Sequence, residues 1–112
     1  MSSISSIILP IYQKYAGPLA KQGGIIDLSV KDPHLSVSHP KTTGSLISDF
    51  ISYTIKNTRK PHLIIQGNDK FLIIKEENTL LDPDFKAKLT GVEGMKVSSR
   101  IGFGTKMQFP LK

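Results

Sequence analysis

No cysteine occurs in these 112 residues, which excludes a disulfide scaffold, a thiolate nucleophile, a Cys-ligated zinc and an iron–sulfur cluster. Tryptophan is also missing, and arginine is reduced to Arg59 and Arg100 among 15 basic residues. A charge carried almost wholly by lysine suits a solvated surface better than bidentate recognition of phosphate. The longest apolar stretch, residues 7–12, is far too short for a membrane span, and no positive charge precedes it as in a secretory leader. A P-loop, Gly-x-Ser-x-Gly, H-E-x-x-H and a close acidic pair on a helical face are likewise missing, so the hydrolases that depend on them are disfavoured.

What is present is a core. The 11 Leu, 14 Ile, 4 Val and 5 Phe lie well above the composition of disordered chains, and the length suits one domain over residues 1–112. Fifteen basic residues against nine acidic ones give a net charge of +6 and a pI near 9.7, the balance expected of a partner for polyanions. The lack of cysteine suits a reducing, cytoplasmic setting, and no membrane association is expected.

Ile4, Ile7, Ile8, Ile11, Tyr12, Tyr15 and Leu19 recur at three- and four-residue intervals, the signature of a helix with one apolar face. Pro10 argues that this helix starts near residue 10 or is broken in two, and Gly17-Pro18 that it stops there. Residues 25–30 and 35–38 alternate around Lys31-Asp32-Pro33, as two short strands or one strand followed by an extended loop. Leu46, Ile47, Phe50, Ile51 and Ile55 form a second helical stripe, with Ser45 as its cap and Pro61 as its limit. Residues 62–66 and 71–75 read as a hairpin across Gly67-Asn68-Asp69-Lys70. Their apolar positions do not alternate, so both faces are expected to be covered, with Ile64, Ile73 and Phe50 in the core. Asp82 can cap a short helix beginning at Pro83, and residues 95–101 and 103–109 read as a last pair of strands bent at Gly102 and Gly104. The fold class is therefore α+β: a single domain with a mainly antiparallel sheet and two helices packed on it.

Candidate site residues follow from chemistry. Lys56, Arg59, Lys60 and His62 gather at the junction between the second helix and the hairpin, joining cations to an imidazole that can transfer protons near neutral pH. His34 and His39 lie in a looping segment as further acid–base candidates. With Asp32 they fall short of three convergent ligands, so no metal site is expected. Arg100 and Lys106 flank the glycines of the last hairpin and can contact phosphate.

From residue 45 to 109 the expected order of a helix and four antiparallel strands resembles, in topology, the small metal-independent ribonucleases and toxins of the barnase, colicin-D and RelE type. The resemblance covers topology and no diagnostic motif; in the RNA-cleaving reading it suggests, the chain's own candidates for a base acting on the ribose 2′-hydroxyl are His62, His34 and His39. Arg59 or Arg100 would stabilise the phosphorane, and Lys56, Lys60 and Lys106 would hold the nucleic acid. The leading expectation is thus a small basic protein engaging nucleic acid, RNA before DNA. In its enzymatic form it is an endoribonuclease toxin without cofactor or metal, met by an inhibitor protein. The opposing expectation is a structural or assembly protein that forms a homo-oligomer through the apolar hairpin. Whether the chain is an enzyme is left open by its residues.

Overall fold

A computed structural model describes residues 3–89 and 91–112. The first helix, α1, runs unbroken over Ile4–Lys21 with Pro10 and Pro18 inside it. Each proline removes one hydrogen bond to a carbonyl four residues back, but Pro10, Pro18, Ser6 and Lys14 are all exposed, so water can satisfy the freed carbonyls. The stripe of Ile4, Ile7, Ile8, Ile11, Tyr15 and Leu19 is buried and outweighs the local cost. Ser3, not Pro10, starts the helix, its hydroxyl accepting from Ser6 N.

Strand β1, Ile25–Val30, follows as expected. Of the two arrangements expected, one strand followed by a loop is the one formed: residues 35–38 contribute the isolated bridges Ser3–Ser36 and Val37–Leu111. Helix α2 spans Pro40–Asn57 and begins before Ser45, with His39 at the N-cap and Pro40 in its first turn. Its buried face is Thr43, Leu46, Ile47, Phe50, Ile51 and Thr54. Tyr15 of α1 ties the two helices together through hydroxyl contacts of 2.7 Å to Ser48 and 3.0 Å to Ser52.

The hairpin is β2, His62–Gly67, with β3, Phe71–Glu76; then come α3, Pro83–Lys88, β4, Lys96–Arg100, and β5, Gly104–Pro110. The five strands form one sheet in the order β1-β2-β3-β5-β4. It is antiparallel except for β1, which pairs parallel to β2, as a crossover through α2 permits. An α+β domain is what these residues build.

Only one face of the sheet is covered. Leu63, Ile65, Leu72, Ile74, Met107 and Phe109 are buried in one core with α1 and α2. Ile64 and Ile73 fall in the opposite phase and are half-exposed. The expectation of a hairpin covered on both faces therefore fails, although Phe50 is fully buried. Among the described residues no helix is long and apolar enough to cross a membrane.

Candidate functional site at the end of strand β3 and on the open sheet face

Strand β3 alternates, so Glu76 shares a phase with Leu72 and Ile74 and enters the covered side, where it is fully buried. Its carboxylate accepts from His62 N and Asn78 N, both at 2.5 Å, and from the Thr79 hydroxyl at 3.2 Å. Because a hydroxyl has one proton, Thr79 must accept from Thr58, 2.6 Å away at the end of α2. Thr105 donates to Thr79 O at 2.7 Å and so accepts from Ser99, which in turn accepts from Leu81 N. One buried carboxylate and four hydroxyls thus join α2, β2, β3, β4 and β5 at a single end of the sheet. Every donor has a partner, which makes this knot structural support, not a reactive group.

Beside it, α3 closes on α2. Asp82 caps α3 by accepting from Phe85 N at 2.7 Å, as its sequence position suggests. The Phe85 ring stacks on Tyr53 of α2 with centroids 4.2 Å apart. Asp82 N donates to the Tyr53 hydroxyl at 3.2 Å, and that oxygen lies 3.3 Å from Leu80 O. Asp49, Ser52, Lys56 and Lys88 border the shallow depression at this corner.

The sequence-predicted residues are scattered. His62, at the start of β2, holds Asp27 of β1 through Nε2 at 2.5 Å on the open face. The Asp27 hydrogen bond and its charge raise the imidazole pKa above 6.5 against a smaller loss of solvent. Lys56 ends α2 at that same end of the sheet, and Arg59 and Lys60 are exposed in the loop to β2. His34 and His39 lie at the opposite end. His34 follows the end of β1, its backbone N–H donating to Asp32, while His39 Nδ1 sits 3.2 Å from Ser38 Oγ. The Ser38 hydroxyl itself donates to Pro110 O. Val30 pairs with Gly67 and Ile25 with His62, so the length of β1, roughly 17 Å at 3.3 Å per residue, separates His34 from His62. No group of three His or acidic residues converges among the described residues.

Arg100 and Lys106 do come together. Both lie on the open face of β4 and β5, and cross-strand pairing adds Lys75 opposite Lys106 and Lys96 opposite Gln108. Lys75, Arg100 and Lys106 line a depression of about 410 Å³ with Ile64, Ser98 and Phe103, and Glu76 and Glu77 border it too, whereas Lys96 borders the neighbouring one. Glu76, Asp27, Tyr53 and Lys75 are absent from the sequence-derived set. The signal for Glu76 is its place on the apolar phase of Phe71-Leu72-Ile73-Ile74-Lys75-Glu76, where a carboxylate must be buried. Lys75 falls on the other phase, but its alignment with Lys106 is a matter of register.

No protein-family model matches this sequence, and no curated relative does. The fold, by contrast, is shared over nearly the whole chain with histidine kinases. The catalytic domain of histidine kinase ThkA has a TM-score of 0.73 at 12% identity, with 98% of this chain and 93% of that one covered. The cytoplasmic segment of histidine kinase QseC gives 0.71 at 8% identity over 97% and 74%. Full-length ShkA in complex with AMPPNP gives 0.70 at 12% identity over 98% and 30%. At such identities the likeness is one of fold. It overturns the topology drawn from a helix and four antiparallel strands, because α1 and the parallel strand β1 belong to the same sheet and core. The ribonuclease, toxin and RNA-binding expectations fall with that topology, as does nucleic acid as the main partner with an inhibitor protein beside it. Assembly through the apolar hairpin falls too, since Leu63, Ile65, Leu72 and Ile74 are consumed within this chain.

Proposed function

We propose that residues 1–112 act as one unit, a histidine-kinase-type domain of a cytoplasmic phosphotransfer pathway that works by contact with a protein partner and not by binding ATP. The fold likeness to the ThkA and QseC kinases supports the first half. The stacked Tyr53–Phe85 pair carries the second.

The adenine nucleotide analogue present with ShkA does not fit the residues of this chain. A base needs a flat apolar slot, and the two rings at the α2–α3 corner face each other at 4.2 Å; admitting a third ring requires roughly 7 Å. The Tyr53 hydroxyl is held by Asp82, so opening that slot breaks the start of α3. A triphosphate needs converging N–H groups or cations. Here the first turn of α3 is occupied by the Asp82 side chain and carries Asp84, and Asp49 borders the same depression as Lys56. The depression on the open sheet face has cations but no enclosed slot, whereas small-molecule sites surround most of their ligand.

Calorimetric titration with AMPPNP and Mg²⁺ tests this reading. No binding is expected up to about 1 mM ligand, and a Kd below about 100 μM overturns the nucleotide-free assignment.

A further inference from the structure

We propose that the open face of the sheet, centred on Lys75, Lys106 and Arg100, docks an acidic segment of a protein partner, whose apolar side chains rest on Ile101 and Phe103. The surface rests on the partner-binding reading above and gives it a location and a chemistry.

Three observations carry it. Lys75 and Lys106 are direct cross-strand partners, and like charges facing each other on adjacent strands are destabilising. Lys96 and Arg100 add to the same face from β4, and none of the four makes an ion pair among the described residues. An anion from a partner would relieve that repulsion. Secondly, the acidic residues nearby do not pair with these cations: Asp27 is held by His62, Glu76 is enclosed in its knot, and Glu77, which borders the same depression, makes no ion pair among the described residues. Thirdly, the turn between β4 and β5 holds Ile101 86% exposed and Phe103 80% exposed, and Phe103 lines the cationic depression. Large apolar side chains so placed mark contact surfaces.

The mixture favours a protein segment. Three of the four cations are lysines, point charges suited to single carboxylates. The aliphatic residue lining the depression is Ile64, with Ile73 next to Lys75 on the same face of β3, and aliphatic groups receive side chains, whereas nucleic-acid bases are held by aromatic platforms. Charge complementarity of this kind sets the association rate and its dependence on salt.

The test is fluorescence anisotropy with a labelled peptide of about 12 residues alternating Asp or Glu with Leu or Phe, and with a single-stranded RNA of similar charge as competitor. Lys75→Gln/Lys106→Gln should weaken peptide binding by about 10-fold or more, and Phe103→Ser by a smaller factor. Lys21→Gln/Lys41→Gln, which removes equal charge from the helix layer, should change it by less than about 2-fold. Melting curves confirm that each variant is folded. Equal losses in the two double variants would reduce the effect to net charge and overturn the proposal. Absence of peptide binding at low salt overturns it, and so does RNA displacing the peptide at lower concentration. AMPPNP titrated into the same samples keeps the two readings apart. Nucleotide binding that survives Lys75→Gln/Lys106→Gln overturns the nucleotide-free assignment and leaves the docking face standing if the peptide result holds.

Discussion

Thr54 sits on the buried face of α2 with no exposure, and its hydroxyl has no hydrogen-bond partner among the described residues. A buried polar atom left unpaired costs more than an apolar atom of the same shape. Thr54→Val should therefore stabilise the fold by about 1 kcal/mol, read as a rise in the denaturant midpoint at unchanged m-value. His62 presents the opposite case, a polar group with a partner it prefers in its charged form. Its pKa is raised by the Asp27 hydrogen bond, so the folded protein binds this proton more tightly than the unfolded chain does. That contribution is complete below the ordinary histidine value and fades as pH rises through the folded one. Asp27→Asn should bring the His62 titration, followed by NMR, back toward about 6.5. It should lower the melting temperature at about pH 6 more than at about pH 9. An Asp27→Asn variant with an unchanged His62 titration would show that the pair does not persist in solution.

At the scale of elements, phase decides what each strand residue is worth. Ile73 and Ile74 are neighbours of the same type in one strand, yet Ile74 is fully buried and Ile73 half-exposed. Ile74→Ala should cost about 2–5 kcal/mol in chemical unfolding, with Ile73→Ala near or below about 1 kcal/mol. Equal costs would mean that something covers the open face in solution. The β4–β5 connection is equally position-specific. Gly104 has φ +77° and lies so close to the backbone of Glu76 and Glu77 that a Cβ would collide with it. Gly104→Ala should therefore destabilise by at least about 2 kcal/mol, since a left-handed conformation alone costs an L-residue 1–2 kcal/mol. The same substitution at Gly102 shares the strain (φ +87°) but meets no atom, so it should cost less. Helix boundaries show the limit of local rules: Pro10 and Pro18 sit inside α1 because both face water and the stripe on the other side is buried.

For the whole molecule, the Glu76 knot does what no single element can. Its hydrogen bonds run from the end of α2 through β3 to β4 and β5. Removing the carboxylate leaves His62 N and Asn78 N without acceptors inside the protein. Glu76→Ala should cost about 3 kcal/mol or more in a single cooperative transition, measured by thermal or denaturant unfolding. Loss of less than about 1 kcal/mol would mean that water replaces the carboxylate, and that this end of the sheet is open.

Much of this protein was legible in its chain. The stripes Ile4–Leu19 and Leu46–Ile55 announced two helices, Gly67-Asn68-Asp69-Lys70 announced a hairpin, and Asp82-Pro83 announced a capped turn of helix. These are local signals, set by periodicity, capping and turn chemistry within a few residues. The same holds for the α+β class, which follows from their order. Tertiary structure alone decided the rest. That β1 lies parallel beside β2, that Ile64 and Ile73 face outward and that residues 35–38 make only bridges all depend on where one sheet meets two helices. The histidines read as one reactive set are held apart by the length of a strand, whereas Lys75, Lys106 and Arg100, up to 31 residues apart in the chain, are neighbours through register. Sequence spacing measures distance along the backbone. Charge repulsion, burial and docking depend on distance through space, and only the pairing of strands sets that.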